Sequence, residues 1–500
     1  MKRNQTPLIW SVGGSDSRAG AGIQADLLTA QDFSVACCTI VSAVTAQNKQ
    51  GVRGVFPVTA KQLIQQLDTL AEDGLPAYIK VGLLATQEQV VALSCWLNDK
   101  AILAVLDPVQ IASNRGLLTT ENVDLSELFS VCTLITPNEG ELVALGGVST
   151  LRGLGVKAVL VTGGTGAEGV LTDHLFNLGV DKEFCWQHTK ISSSNSHGTG
   201  CTLATAITVF LAKGYILEDA ITQAIAYVRA GLRPNAIANV NGAVAHKGWP
   251  SQFVDWPLAA VLFENSASFG EGIEANQSKF PRLSQNLGFY PVVDSLRLVE
   301  NLLRLGVKTL QLRIKQPSSA LQLREDIRAA IGLAKEFDAQ LFINDYWQLA
   351  CEFGAYGVHL GQEDLYEAEM SELLAAGLRL GVSTHGFFEL SVAKKFWPSY
   401  YALGHVFSTT TKEMPSQPQG LRRLSEYASL IRGSPSVAIG GLNQSNGEQV
   451  LACGVQGLAV VRAITDSCSL AGTVNAFLGI FDRMKIDANI DREMLNAALP

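Results

Sequence analysis

At 500 residues the chain is too long for one ordinary domain, and its glycine-rich, apolar, aromatic-poor composition reads as an α/β protein of two or three domains. A net charge of −8 with no basic block argues against a nucleic-acid or anionic-membrane partner, so anionic small molecules must be met by local charge. No apolar run is long enough to cross a bilayer, no signal-peptide core follows Met1-Lys2-Arg3, and the nine scattered cysteines lack zinc-type spacing. Reduced thiols in the cytoplasm are expected, and the sequence leaves homo-oligomerisation open.

In chain order, an apolar strand, Ile9 to Val12, runs into Gly13-Gly14-Ser15-Asp16-Ser17-Arg18-Ala19-Gly20-Ala21-Gly22, with a helix opening near Ile23. Such a turn lets a ligand approach the backbone, but no Lys follows the glycines as a G-x-x-x-x-G-K-[ST] phosphate loop requires. Asn195-Ser196-His197-Gly198-Thr199-Gly200-Cys201 directly precedes an apolar helix, Leu203 to Leu211. Successive N–H groups at a helix N-terminus favour a phosphoryl group, and the same position predicts a lowered pKa for the Cys201 thiol.

With Ala19 to Asp26, Thr45-Ala46-Gln47-Asn48, Lys80 to Leu84, Asp107-Pro108-Val109, Thr136 to Glu141 and His197 to Cys201 in this order, the half resembles the ribokinase-like superfamily. Within it the likeness is to the hydroxymethylpyrimidine and phosphomethylpyrimidine kinases. The resemblance implies a three-layer α/β domain over residues 1–248, an anion hole at Gly198, Thr199 and Gly200, and Cys201 as the base that deprotonates a primary alcohol. It implies further that Gly14, Asp26, Gln47 and Val109 line a pyrimidine pocket, and that Asp107, Asn138 and Glu141 organise Mg²⁺ and ATP. Thr162 stands where these kinases usually have Lys, and the span from Glu141 to Val161 is short for the helix usually found there.

From Trp249 to Asn286 the pattern lapses into Pro, Ser, Asn, Gln and Gly, which predicts an interdomain connection over 249–285. One apolar patch, Leu258 to Phe263, reads as a short docked helix.

Eight apolar runs follow, separated by helix-length stretches: Phe289 to Val293, Thr309 to Lys315, Gln340 to Ile343, Gly357 to Leu360, Leu378 to Val382, Tyr401 to Val406, Ser436 to Ile439 and Gly457 to Val461. Eight strand-and-helix units predict a (β/α)₈ TIM barrel over 286–495, with chemistry on the loops at the strands' C-terminal ends. In Thr309-Leu310-Gln311-Leu312-Arg313-Ile314-Lys315, strand alternation puts Gln311, Arg313 and Lys315 on one face, as a phosphate comb or as a solvated edge strand would. Asp345 and Asp364, at neighbouring strand ends, suit one Mg²⁺ with phosphate oxygens completing its shell.

Together with Asn344-Asp345-Tyr346-Trp347, Gly357 to Asp364, Gly381 to His385 and Gly404 to Phe407, the comb resembles thiamine-phosphate synthase. That resemblance implies that Gln311, Leu312, Arg313, Ile314, Lys315, Asn344, Ser383 and Lys412 hold hydroxymethylpyrimidine diphosphate. It assigns Mg²⁺ to Asp345 and Asp364, and thiazole phosphate to Thr409, Thr410, Thr411, Gly441, Val461 and Arg462. Arg462 replaces the family's usual Ser. The two resemblances imply consecutive steps of thiamine biosynthesis. Two rival readings of the first half stay open, a kinase for another vitamin alcohol and a non-catalytic pyrimidine-binding module.

Overall fold

In the first strand of the computed structural model, β1 (Leu8–Asp16), Trp10 and Val12 pack into one apolar cluster while Ser11, between them, bonds to a helix on the opposite face. That alternation gives the sheet a layer on each side. The structure describes residues 6–497, apart from 49, 110–117, 120–121, 166–168, 194, 234–241, 263–278 and 410–416. The chain divides into two compact units, Met1–Ala275 and Asn276–Pro500.

In the first unit β1 is followed by β2 (Ala36–Asn48), β3 (Gly51–Pro57), β4 (Tyr78–Val81), β5 (Ala104–Leu106), β6 (Cys132–Ile135), β7 (Ala158–Thr165), β8 (Val170–Asn177), β9 (Lys182–Thr189) and β10 (Leu258–Leu262). They form one sheet in the order β10-β9-β8-β7-β6-β5-β4-β1-β2-β3, parallel from β7 through β2 and antiparallel at both margins. The helices are α1 (Gly22–Asp32), α2 (Ala60–Asp73), α3 (Gln87–Lys100), α4 (Ser126–Phe129), α5 (Glu139–Ala144), α6 (Gly147–Gly153), α7 (Thr199–Ala212) and α8 (Leu217–Leu232). Leu63 and Leu67 of α2, Val90, Leu93 and Leu97 of α3 and Phe129 of α4 join Trp10 and Val12 in one core. On the other face α1, α7 and α8 pack together, with α7 against β1, β4 and β5. This is the expected three-layer fold. The short span after Glu141 holds the end of α5 and the short helix α6.

The predicted connection is corrected at its apolar patch. Leu258–Leu262 is not a docked helix but β10, paired antiparallel with β9, with Ala259 and Ala260 fully or nearly fully buried. Five residues cannot hold a helix alone, whereas an edge strand supplies β9 with its missing backbone partners. At the other end of the same stretch, Leu287 joins the second unit's core and the Pro281 carbonyl accepts from Ser399 Oγ at 2.7 Å.

The second unit is a closed parallel barrel of β11 (Gly288–Val293), β12 (Thr309–Leu312), β13 (Gln340–Asn344), β14 (Gly357–Leu360), β15 (Arg379–Thr384), β16 (Tyr400–Leu403), β17 (Ser436–Ile439) and β18 (Gly457–Val460). Closure leaves β12 no free edge, which excludes the solvated-edge alternative for the comb. The strand also stops at Leu312, short of the predicted Lys315. Tyr290, Phe342, Tyr400, Ala402, Val437 and Ala459 fill the interior. Gly381 makes room for Tyr400, since a Cβ there would lie 2.2 Å from the ring.

Candidate functional sites

Beyond the C-terminal ends of the first unit's parallel strands lies a cavity of about 1150 Å³. Open α/β sheets bind ligands in this position, where the loops diverge. Gly14, Gln47, Asp107, Val109, Asn138, Glu141, Thr162 and Gly198 to Cys201 all line it.

Gly198 is the N-cap of α7 with φ +79°, and its own side-chain hydrogen provides no cap, so the first-turn N–H groups face the cavity without a side-chain acceptor. A Cβ on Gly198 would lie 2.0 Å from the Gly20 carbonyl oxygen, so the close seam between the two glycine-rich turns depends on glycine. Asp16 locks that seam. Its carboxylate accepts from the N–H groups of Arg18, Gly20 and Ala21 at 2.8, 3.0 and 2.9 Å, and meets His197 Nε2 at 3.0 Å. Burial works against this carboxylate's charge, but His197 and the N–H groups outweigh it and hold its pKa at about 2.

Asp26 does not reach the ligand cavity and so corrects the sequence expectation. It is 0% exposed, and its oxygens accept from Ser11 Oγ at 2.5 Å, Thr205 Oγ1 at 2.6 Å and Lys80 Nζ at 3.1 Å. From helix α1 it reaches β1, β4 and α7, where it is the counter-ion of Lys80. Lys80 does line the cavity and stands 3.7 Å from Asp107 Oδ2. Burial opposes its charge, yet Asp26, Cys201 and Asp107 together raise its pKa above the usual value.

Cys201 carries the second correction. Burial pushes its thiol up to about 12, with Lys80 opposing and Asp107 and Asp26 adding, so the helix N-terminus does not yield a thiolate. Asp107 is itself raised by burial against the pull of Lys80, and lies within hydrogen-bonding reach of the thiol. Its Oδ2 is buried without a hydrogen-bond partner among the described residues.

Asn138 and Glu141 cap α5 reciprocally. Asn138 Oδ1 accepts from the Glu141 N–H at 2.9 Å, and Glu141 Oε2 accepts from the Asn138 N–H at 2.9 Å. Burial raises Glu141 to about 7 despite that N–H, with Asp107 adding. A carboxyl under such strain of charge fits a site completed by a cation. Thr162 donates its N–H to the Pro137 carbonyl at 2.9 Å and offers no positive charge in place of the usual Lys.

At the barrel's mouth, Lys315 is ion-paired with Asp345, which has φ +65°. Asp364 accepts from the Gly361 N–H at 2.9 Å, and its pKa is raised by burial and then by Asp345. Two carboxylates that repel one another fit a shared cation, whose place Lys315 partly takes. Among the described residues no cluster of three or more His, Cys, Asp or Glu could hold a metal, so Mg²⁺ here would rely on this pair and on substrate oxygens. Gln311 and Asn344 are buried at 4% and 7% exposure, whereas Arg313 is half-buried. Gly440 and Gly441 bend the chain after β17 at φ +101° and +68°, and Val461 and Arg462 follow β18, with Arg462 exposed. Thr410, Thr411 and Lys412 lie outside the described residues.

Sequence reasoning assigned no role to Asp16, Lys80 or His197. Lys80 had a signal, since a lone lysine in the apolar run Tyr78–Val81 needs a buried carboxylate. The Asp16–His197 contact spans 181 positions and leaves no local trace.

Two family models match the chain, phosphomethylpyrimidine kinase over residues 16–245 and thiamine monophosphate synthase over 289–464. A curated thiamine-phosphate synthase of Yersinia pestis (strain Pestoides F) is 58% identical over 186 residues, which cover 37% of this chain and 86% of that protein. Among solved structures, pyridoxal kinase of Staphylococcus aureus with ADP overlaps 52% of this chain and 99% of its own at 25% identity and a TM-score of 0.44. Phosphomethylpyrimidine kinase of Clostridium difficile 630 overlaps 44% and 96% at 28% identity and a TM-score of 0.37.

Proposed function

We propose, for a chain that belongs to the thiamine-phosphate synthase family through residues 289–464 and carries a phosphomethylpyrimidine kinase domain over 16–245, that its two sites perform consecutive steps of thiamine biosynthesis. The first phosphorylates hydroxymethylpyrimidine and then its monophosphate with ATP. The second joins the resulting diphosphate to thiazole phosphate, releasing diphosphate. The observation that carries the kinase reading is the uncapped N-terminus of α7 opening into the same cavity as Gln47, Val109 and Glu141.

In the kinase cavity Gly14, Gln47 and Val109 hold the pyrimidine, and the N–H groups of Gly198 to Cys201 receive the phosphoryl group in flight. A thiol held near 12 accepts a proton only as it gives one up. The alcohol proton therefore passes to Cys201 sulfur while the thiol proton passes to Asp107, and the alkoxide oxygen bonds to the γ-phosphorus of ATP as that phosphorus parts from the bridging oxygen, releasing ADP. Lys80, anchored by Asp26, keeps the carboxylate and sulfur of this pair within one charge-balanced cluster.

In the synthase, Arg313, Lys315 and Lys412 neutralise the diphosphate, Asn344 and Ser383 orient it, and Thr409 to Thr411, Gly441, Val461 and Arg462 hold thiazole phosphate. The substitution needs no protein nucleophile, because an electron-rich aminopyrimidine supports positive charge at its exocyclic methylene as diphosphate departs. Mg²⁺, when bound, would stabilise phosphate charge at both sites, held by Asn138 and Glu141 in the kinase and by Asp345 and Asp364 in the synthase.

The partners in this reading are small molecules and the compartment is the cytoplasm; no described helix is long and apolar enough to cross a membrane. The test is a one-pot reaction of the full chain with hydroxymethylpyrimidine, ATP, Mg²⁺ and thiazole phosphate. ADP release and thiamine phosphate are both expected. Failure to phosphorylate the pyrimidine while pyridoxal is phosphorylated would reassign the first half.

A further inference from the structure

The barrel interior contains a line of hydrogen-bonding side chains contributed by five different strands. Gln311 Nε2 on β12 donates to the Tyr290 hydroxyl on β11 at 3.3 Å, and the Tyr290 and Tyr400 hydroxyls stand 2.7 Å apart. The Tyr400 hydroxyl on β16 is 2.7 Å from His359 Nδ1 on β14, whose Nε2 is 2.8 Å from Ser383 Oγ on β15. Tyr290 and Tyr400 are 1% and 0% exposed, Gln311 and His359 are buried, and Ser383 is half-buried at the line's outer end.

The two ends of this line are chemically unlike. An amide nitrogen only donates, so the Tyr290 oxygen accepts from Gln311, and among the described residues the Tyr400 oxygen is the acceptor within reach of the Tyr290 proton. Tyr400 then gives its proton to His359 Nδ1. A neutral imidazole that accepts at Nδ1 carries its hydrogen on Nε2, which must therefore donate to Ser383 Oγ. The Ser383 proton is the one left over. Ser383 Oγ has no second hydrogen-bond partner among the described residues, which leaves that proton for a ligand at the mouth.

We infer that Gln311, Tyr290, Tyr400 and His359 form a polarised relay that presets Ser383 as a hydrogen-bond donor to the diphosphate substrate. Tyr290, Tyr400 and His359 are positioning residues that act on the diphosphate through Ser383. The inference rests on the synthase reading for the identity of that substrate. The opposite polarity would turn an oxygen lone pair toward a polyanion and repel it. Two further features hold the line in place. Gly381 leaves the space that the Tyr400 ring fills, and Gln362 Nε2 fixes the Ser383 backbone by donating to its carbonyl at 2.6 Å.

The test uses the full chain with ¹⁵N-labelled histidine. The His359 ring should show hydrogen on Nε2 and a bare Nδ1; hydrogen on Nδ1 would overturn the inference. This readout needs no substitution and no activity, so it remains decisive if the substrate identity or a variant fails. In parallel, Tyr400→Phe should lower synthase kcat/KM for the pyrimidine diphosphate about tenfold, the scale of one hydrogen bond to a charged group. The same change in a Ser383→Ala background should have almost no further effect, because the relay then has nothing to orient. Independent, multiplicative losses would assign Tyr400 to packing alone and sink the relay. A wild-type chain that makes no thiamine phosphate would remove the diphosphate from the inference together with the synthase reading, while the ring tautomer would still report the line's direction.

Discussion

Asp26→Asn separates a buried counter-ion from a ligand contact. The substitution removes a negative charge 3.1 Å from Lys80 Nζ while keeping the side chain's size, and it leaves Asp107, at 3.7 Å, as the remaining carboxylate. Removing one member of a buried pair costs about 3–5 kcal/mol, and the surviving carboxylate places this case near the low end, about 3 kcal/mol. For a domain of this size that is a loss of roughly 6–12 °C in heat resistance. Aliquots of the full chain would be heated, cooled and assayed for ADP release and for thiamine phosphate formed from supplied pyrimidine diphosphate. The kinase should fail earlier in the variant, the synthase at the wild-type temperature. Adding Lys80→Met should recover part of the loss, because the stranded ammonium is then gone. Wild-type heat resistance in Asp26→Asn, combined with a raised KM for hydroxymethylpyrimidine, would put the carboxylate at the ligand and refute the counter-ion account.

Cys201→Ala and Asp107→Asn should each lower phosphorylation by roughly two to four orders of magnitude, and the double variant should be little worse than either, since both act on one proton; multiplied losses would separate them. Glu141, held at about 7, is mostly protonated at pH 6 and mostly ionised at pH 8, so the KM for Mg²⁺·ATP should fall across that range in wild type and stay flat in Glu141→Gln. Gly198→Ala forces a Cβ against the Gly20 carbonyl at a positive φ and should abolish ADP release without touching the synthase; retained kinase activity would show that the seam can open. Asp345→Ala should abolish thiamine phosphate formation from supplied diphosphate and leave ADP release intact, and near-normal synthase turnover would remove the metal assignment. Arg462→Ser should raise the KM for thiazole phosphate about tenfold if the guanidinium meets the phosphate, whereas equal values would leave that contact to the backbone.

The barrel was legible because its strands are buried on all sides and read as bare apolar runs between helices. Gly357–Leu360 and Ser436–Ile439 match their predicted bounds, and the other six differ only at their ends. The glycine turns were legible for a similar local reason. Contacts between distant residues were not. A helix N-terminus next to a cysteine suggests a lowered pKa, but burial beside Asp107 and Asp26 decides the opposite, and those carboxylates are 94 and 175 positions away. Asp26 was misplaced because a motif shows which residue is present, not whether its helix turns it to the cavity or away from it. Leu258–Leu262 was misread because five apolar residues carry too little periodicity to tell a strand from a helix, and its partner strand ends 69 positions earlier at Thr189.

That strand also dictates where the two activities can be cut apart. A truncation after residue 248 follows the composition of the chain but strips β10 from the sheet, baring the outer row of β9 amides and carbonyls from Glu183 to Gln187. An uncovered edge of that length recruits other chains, and a kinase fragment made this way would tend to precipitate whatever the health of its active site. Cutting between 263 and 278 keeps the margin closed and leaves Pro281 and Leu287 with the barrel they contact.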